Sequence, residues 1–284
     1  MKIAIAGHSG FVGTILKEYF TERGDELTLI QRVDLNDTIK LCEKLKHVSV
    51  IINLCGAPII NRWSKEYKIK LIESRVSPTR SILLALNELK NEVHFINASA
   101  IGIYSSDGIH SEDSLVFSND FVGTIVNEWE RSAKSETLDN VKLSIIRLGL
   151  VIDKSGGFLK NMITPFLFKV GIYFKKPTNT LSFIDSVDLC RQIEFIITNK
   201  VYGIVNCVSP VSTNNIGFAK VLRKITKCWF LFALPDIFLK LIFGECFYTL
   251  KQTPNVYPKR LIDLGFKFKY STIEESLQSK FIEN

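Results

Sequence analysis

Residues 1–13 read Met-Lys-Ile-Ala-Ile-Ala-Gly-His-Ser-Gly-Phe-Val-Gly. The apolar run Ile3–Ala6 is of strand type, and it leads straight into Gly7, Gly10 and Gly13, with a helical pattern opening at Phe11. Strand, glycine triplet and helix in this order are the context a dinucleotide fingerprint requires. Gly7 permits the sharp turn, Gly10 lets backbone approach a pyrophosphate, and Gly13 lets the helix pack on the strand. Gly7, Ser9, Gly10, Phe11, Val12 and Gly13 are therefore the expected phosphate-binding set, working through backbone N–H groups and the helix dipole. The bland alternative is a tight turn in some other α/β protein.

The next strand, Leu27–Ile30, ends in Gln31-Arg32. An acidic residue at that place would hydrogen-bond the ribose 2′-hydroxyl of NAD, whereas a guanidinium suits the 2′-phosphate of NADP. NADP(H) is the expected cofactor and NAD(H) the alternative, because Asp34 lies only two residues beyond Arg32. A solvated loop charge is the other reading of Arg32.

Outward from this unit, strand-like runs (Val50–Leu54, Val93–Ala98, Leu143–Leu148) alternate with helical patterns (Thr38–Leu45, Lys65–Leu89, Val122–Ser135). Such alternation predicts an α/β fold: a Rossmann-type doubly wound parallel sheet. The pattern changes after Arg147, with a Gly156-Gly157 pair, a strand at Leu181–Ile184, a helix near Val187–Thr198 and a strand at Gly203–Cys207. The expected division is a cofactor domain over 1–154, with 181–209 returning to it, and a smaller C-terminal α/β lobe from 155–180 and 210–284. No repeat or low-complexity tract stands out.

The 284 residues are 46% hydrophobic and 23% charged, enough to bury a core. The net charge of +7 comes from basic residues scattered without a block of like charges, which argues against a nucleic-acid footprint. Six cysteines lie far apart with no Cys-x-x-Cys pair, and no secretory leader precedes the first strand, so reduced thiols in a cytoplasmic protein are expected. No histidine pair has metal-ligand spacing, and no metal is expected. The longest apolar run, Cys228 to Phe243, has 16 residues and is interrupted by Pro235, Asp236 and Lys240. A bilayer needs about 20. The run reads as a buried helix or helical hairpin, with a helix lying on a membrane surface as the alternative.

With these motifs in place the chain resembles the atypical extended branch of the short-chain dehydrogenases/reductases, the NAD-dependent epimerase/dehydratase-like family with a C-terminal domain of unknown function. The resemblance runs the full length. It rests on Gly7 to Gly13, Gln31-Arg32, Asn53-Leu54-Cys55-Gly56-Ala57-Pro58, Ser74-Arg75 and Ala98-Ser99-Ala100-Ile101-Gly102-Ile103-Tyr104. Glu128-Trp129-Glu130, Arg147-Leu148-Gly149, Gly156-Gly157 and Ser182-Phe183-Ile184-Asp185 continue it. The resemblance implies that Leu54, Cys55, Gly56, Arg75 and the segment after Arg147, with Leu150, join the cofactor site, and that the C-terminal lobe covers a substrate cleft.

The chain departs from that superfamily at the chemistry. Hydride transfer there uses a tyrosine whose pKa is lowered by a lysine four residues later, yet none of the eight tyrosines here is followed by lysine at that spacing. The corresponding places fall near Val122 and Val126. Ser99, at a strand end, and Tyr104 are the remaining catalytic candidates; a turn serine and a wall tyrosine are their plain alternatives. Glu128 and Glu130 read as solvated charges or as a partner for Arg147. Asp185 and Asp188 read as helix-capping carboxylates.

Three functions stay open. One is an NADP(H)-dependent reductase or epimerase of a small substrate, sugar-like molecules included. Another is a cofactor-binding regulatory protein with little or no turnover. The third is a membrane-surface or nucleic-acid partner with a vestigial cofactor site.

Overall fold

A computed structural model describes residues 1–135, 138–174, 180–235, 237, 244–246 and 253–282. The opening run becomes β1 (Lys2–Ala6), followed by α1 (Phe11–Glu22), β2 (Glu26–Ile30), α2 (Thr38–Leu45), β3 (Val50–Asn53), α3 (Lys65–Leu89) and β4 (Val93–Ala100). Then come β5 (Ile109–His110), α4 (Phe121–Lys134), β6 (Val141–Leu148), β7 (Leu150–Ile152), α5 (Gly157–Leu167) and β8 (Val170–Phe174). The order continues with β9 (Thr180–Leu181), β10 (Phe183–Asp185), α6 (Ser186–Thr198), β11 (Gly203–Cys207), β12 (Thr213–Asn214) and α7 (Asn215–Thr226). Last are β13 (Phe230–Leu234), β14 (Asn255–Val256), α8 (Lys259–Asp263) and α9 (Ile273–Ile282).

Six parallel strands form the central sheet in the order β11-β6-β4-β3-β1-β2. Its strands are apolar on successive residues because both faces are covered, which removes the in-out alternation of a half-exposed sheet. Ile3 and Ile5 pack with Leu16 and Phe20 of α1 and with Leu189 and Ile193 of α6. Ala4 and Ala6 face Leu41 of α2 and Ile82 and Leu86 of α3. Between β2 and β3 the described residues hold a short 3-10 turn and α2 but no strand, so β2 ends the sheet. The strand order turns back between β1 and β3, and the crevice outside their carboxyl ends is where open α/β sheets bind ligands.

Both edges of the sheet are occupied by side chains. On β11, the Glu112 carboxylate accepts from Asn206 N–H (2.9 Å) and Arg260 Nη1 donates to the Ile204 carbonyl (3.0 Å). On β2, Lys44 Nζ donates to the Leu29 carbonyl (3.2 Å).

The second half of the chain builds short ladders, β10 with β7, β12 with β9 and β13 with β8, over a core containing Leu159, Phe166, Phe183, Phe218, Leu222 and Leu277. The expected single strand Leu181–Ile184 is divided at Ser182, whose hydroxyl donates to the Pro254 carbonyl and accepts from Val256 N–H. Asp185 caps α6 through Val187 N–H (2.8 Å), as its position predicts, and also accepts from Ser276 and Lys280 of α9. Asp188 accepts from the backbone N–H groups of Lys269 and Tyr270, so both carboxylates hold the C-terminal segment down.

One expectation fails. The start of the apolar run Cys228 to Phe243 is not a buried helix but β13, and its outward residues are exposed. The pairing with β8, far away in sequence, overrides local pattern here. Most of 236–243 lies outside the described residues. Among the described residues no helix is long and apolar enough to cross a membrane.

Candidate active site

Gly7 and Gly13 do the backbone work expected of them. Gly7 has φ +79°, and a Cβ there would come within 2.8 Å of the Leu54 carbonyl carbon, so it allows both the turn and the packing against the end of β3. At Gly13 a Cβ would lie 2.2 Å from the Gly7 carbonyl oxygen. At Gly10 the nearest such atom, the Gly7 carbonyl oxygen, is 3.3 Å away, and its φ of −77° suits any residue, so its backbone demands glycine less than Gly7 and Gly13 do. Gly10 caps α1 without a side-chain hydrogen bond, and the first turn carries no acid. The N–H groups and dipole of that turn are left for an anion. The Phe11 ring packs on Gly156 and Gly157, where a Cβ would fall within 2.6 Å of it, and this joins the loop to the start of α5.

Asn53, which the sequence offered only as part of a motif, organises the next segment. Its amide donates to Thr79 (3.0 Å) and Asn97 (2.8 Å), while its carbonyl accepts from Cys55 N–H (3.2 Å). Arg75 lies buried beneath the same segment, donating to the Leu71 (2.8 Å) and Ala57 (2.9 Å) carbonyls, with its guanidinium over the Trp129 ring. A Cβ on Gly56 would approach that guanidinium to 3.0 Å. Burial lowers the Arg75 pKa to about 10, and among the described residues no carboxylate pairs with it.

Arg32 is exposed, and its charge acts on Cys55, whose thiol burial nonetheless pushes up to about 11. The Asp34 carboxylate is fully buried, accepting from Gln31 N–H (2.7 Å) and pairing with Lys44 (2.5 Å) and Lys40 (3.1 Å). Burial alone would raise its pKa, but those partners overcome it and hold it at about 2. Leu150, the first residue of β7, is half-buried and donates its N–H to the Ser182 carbonyl (3.0 Å).

Ser99 and Tyr104 meet at one place, though not at an open cleft. Each is only 1% exposed. The Ser99 hydroxyl donates to Glu130 (2.7 Å), and Arg147 forms a bidentate pair with Glu130 (2.7 and 2.9 Å) while donating to the Tyr104 phenol oxygen (2.6 Å). The phenol in turn donates to Asn206 (2.9 Å), and its ring stacks on His110 at 5.1 Å. Burial raises the Tyr104 pKa despite Arg147 and Asn206 beside it. Burial would raise that of Glu130 too, but Arg147, Ser99 and Lys134 outweigh it and keep the carboxylate ionised. The expected pairing of Glu130 with Arg147 is therefore found. Val122 and Val126 pack with Ile103, Tyr104 and Val208 against Ala100 and Trp63, forming an apolar wall.

A parallel sheet with a glycine loop at its switch point defines a dinucleotide-binding Rossmann protein. Residues 3–120 match the NAD dependent epimerase/dehydratase family, and residues 234–279 match a domain of unknown function, DUF1731. An epimerase family protein of Staphylococcus haemolyticus is 30% identical, with 95% of both chains covered, and one of Staphylococcus aureus strain MRSA252 is 29% identical over 96% of this chain and 97% of its own. Among solved structures, the human epimerase family protein SDR39U1 (isoform 2), determined with NADPH, covers 100% of both chains at TM-score 0.89 and 23% identity. A dTDP-4-dehydrorhamnose reductase of Clostridium acetobutylicum reaches TM-score 0.80 at 18% identity over 100% of this chain and 99% of its own. The chain belongs to the NAD dependent epimerase/dehydratase family.

Proposed function

We propose that this chain binds NADP(H) in preference to NAD(H) and serves as a reductase or epimerase of a small molecule, sugar-like substrates included. The observation that carries the cofactor choice is the disposal of Asp34. The one carboxylate near the end of β2 that could take a ribose 2′-hydroxyl is buried among Lys44, Lys40 and Gln31 N–H, while Arg32 stays exposed beside it. The uncapped first turn of α1 and an Arg75 with no carboxylate partner among the described residues both suit an anionic dinucleotide. Gly7, Ser9, Gly10, Phe11, Val12 and Gly13 would hold the pyrophosphate and Gln31 with Arg32 the adenosine 2′-phosphate. Leu54, Cys55, Gly56, Arg75 and Leu150 would complete the site. A bound NADP(H) supplies a hydride donor or acceptor.

Arg32→Ala is expected to weaken NADPH binding about tenfold to a hundredfold, the worth of a charge-assisted hydrogen bond, and to leave NADH binding unchanged. Calorimetric titration of both cofactors measures it. Equal affinity of the unaltered protein for NADPH and NADH, or an Arg32→Ala variant that keeps its NADPH affinity, overturns the assignment.

A second reading, a cofactor-binding regulatory protein with little turnover, is favoured by the apolar wall at Val122 and Val126 and by the inward hydroxyls of Ser99 and Tyr104. A panel of carbonyl compounds and nucleotide sugars followed through NADPH absorbance separates the two. In either reading we assign Ser99 and Tyr104 to positioning Glu130 and Arg147. Tyr104→Phe removes two buried hydrogen bonds and should cost about 1–3 kcal/mol of stability in denaturant titrations. If that variant keeps full stability yet loses turnover on a substrate found in the panel, Tyr104 is instead the proton donor.

A further inference from the structure

The ladder of β8 and β13 carries large apolar side chains on its outer face as well as on its inner one. In a two-stranded ladder with one face on the core, alternate side chains should be apolar inward and polar outward. Inward, Leu231 and Gly171 lie against buried Phe166. Outward, Phe230 sits opposite Val170 and Phe232 opposite Ile172, with the two phenylalanine rings 6.0 Å apart. Phe230 is 57% exposed, Phe232 54% and Val170 42%. Where the ladder begins, Trp229 donates its N–H to the Lys169 carbonyl, and Trp229 is 71% exposed, Phe168 78% and Leu167 59%. Six large exposed apolar side chains thus lie on this ladder or in the residues that lead into it, a concentration of the kind that marks an interaction site.

The two stretches of sequence that carry them are basic. Residues 154–184 contain five lysines and no Asp or Glu; residues 195–235 contain four lysines and one arginine, again with no Asp or Glu. The ten positive charges of these two segments exceed the +7 of the whole chain. Of the described ones, Arg223 donates its guanidinium to the Cys228 and Trp229 carbonyls, Lys227 is exposed just before Trp229 in the chain, and Lys160 is exposed on α5, the helix that ends at Leu167. Lys224 is paired with Glu274 of α9.

We propose that this face docks on the surface of an anionic lipid bilayer, with Trp229, Phe230, Phe232 and Phe168 at the headgroup level and the lysines and Arg223 on the lipid charge. Aromatic side chains with a basic rim are suited to that interface. The charge decides against a second copy of the chain, because a symmetric pair on this patch would set two identical positive rims against each other. Leu167 and Val170 within the patch stack no base, which disfavours single-stranded nucleic acid. The proposal is independent of the cofactor reading, since none of the patch residues belongs to the expected cofactor set.

The full chain is mixed with vesicles of phosphatidylcholine alone and with vesicles of phosphatidylcholine and phosphatidylglycerol, and the pelleted fraction is measured at low and high salt. Binding to the anionic vesicles is expected to be at least about tenfold stronger, to fall with salt, and to shift Trp229 fluorescence to the blue, a shift absent in Trp229→Phe. Phe230→Ser with Phe232→Ser is expected to lose about tenfold or more of that binding, with circular dichroism and NADPH titration unchanged. Should that variant misfold, Lys160→Glu with Lys227→Glu leaves the aromatics in place and should abolish the preference for anionic vesicles. Equal binding to both vesicle types, anionic binding that none of these variants weakens, a dimer in light scattering that Phe232→Ser dissociates, or tight binding of polyuridylate that the aromatic variant loses would each overturn the proposal.

Discussion

Replacing Glu130 by alanine is expected to destabilise the protein by about 3–5 kcal/mol, the cost of leaving a buried charge without its partner. Arg147 would keep its guanidinium 2% exposed, over the Tyr104 ring, with neither of its two carboxylate hydrogen bonds. For a chain of this size the midpoint of thermal unfolding should fall by roughly 10 °C. The double variant Glu130→Ala with Arg147→Met, which removes both charges, should recover much of the loss; a double variant as unstable as the single one would show that the pair does not carry the effect. The same pair sets an acid limit. The Glu130 pKa is depressed in the folded state, so its stabilising contribution is complete above its ordinary value of 4.5 and is lost as pH falls below that range. Glu130→Ala should therefore show a flatter decline of stability in acid than the unaltered protein.

The second large effect separates two glycines three residues apart. Gly10→Val should abolish NADPH binding, a loss of at least a hundredfold, while the variant stays folded, because the added carbons enter the space outside the loop. At Gly13 the same change drives a side chain into the Gly7 carbonyl, where the first carbon alone would already lie 2.2 Å from the oxygen. Gly13→Val should fail to fold, or unfold at far lower denaturant. Circular dichroism and cofactor titration of the two variants together test this. A folded Gly10→Val protein with undiminished binding would remove the loop from the cofactor site.

Much of the cofactor half was legible because its signals are local. The run into Gly7, the helix opening at Phe11 and the long helix Lys65–Leu89, found at its expected bounds, depend on neighbours within a turn or two. Gln31-Arg32 was legible as a place, yet the fate of Asp34 was not, since it depends on Lys44 ten residues on. The direction of Ser99 and Tyr104 was hidden for the same reason: the Glu130–Arg147 pair that receives them is assembled from α4 and β6. Arg75 enters the expected cofactor set only through the family resemblance, while its burial over Trp129 is a matter of how α3 meets α4. The strand Phe230–Leu234 was misread because an unbroken apolar run has no period to distinguish strand from helix, and its partner lies some sixty residues upstream.

The side chains on the outer strands of the sheet bear on how the protein behaves in a crowd. A parallel sheet that stops at six strands leaves two rows of unanswered N–H and C=O groups, each a template on which a strand from another molecule could lie. Glu112 and Arg260 answer groups on one row and Lys44 answers one on the other, all with charged atoms that a newcomer would have to displace. Growth of the sheet from molecule to molecule, the step that leads to fibrils, is thereby opposed at both ends by hydrogen bonds the fold has already made.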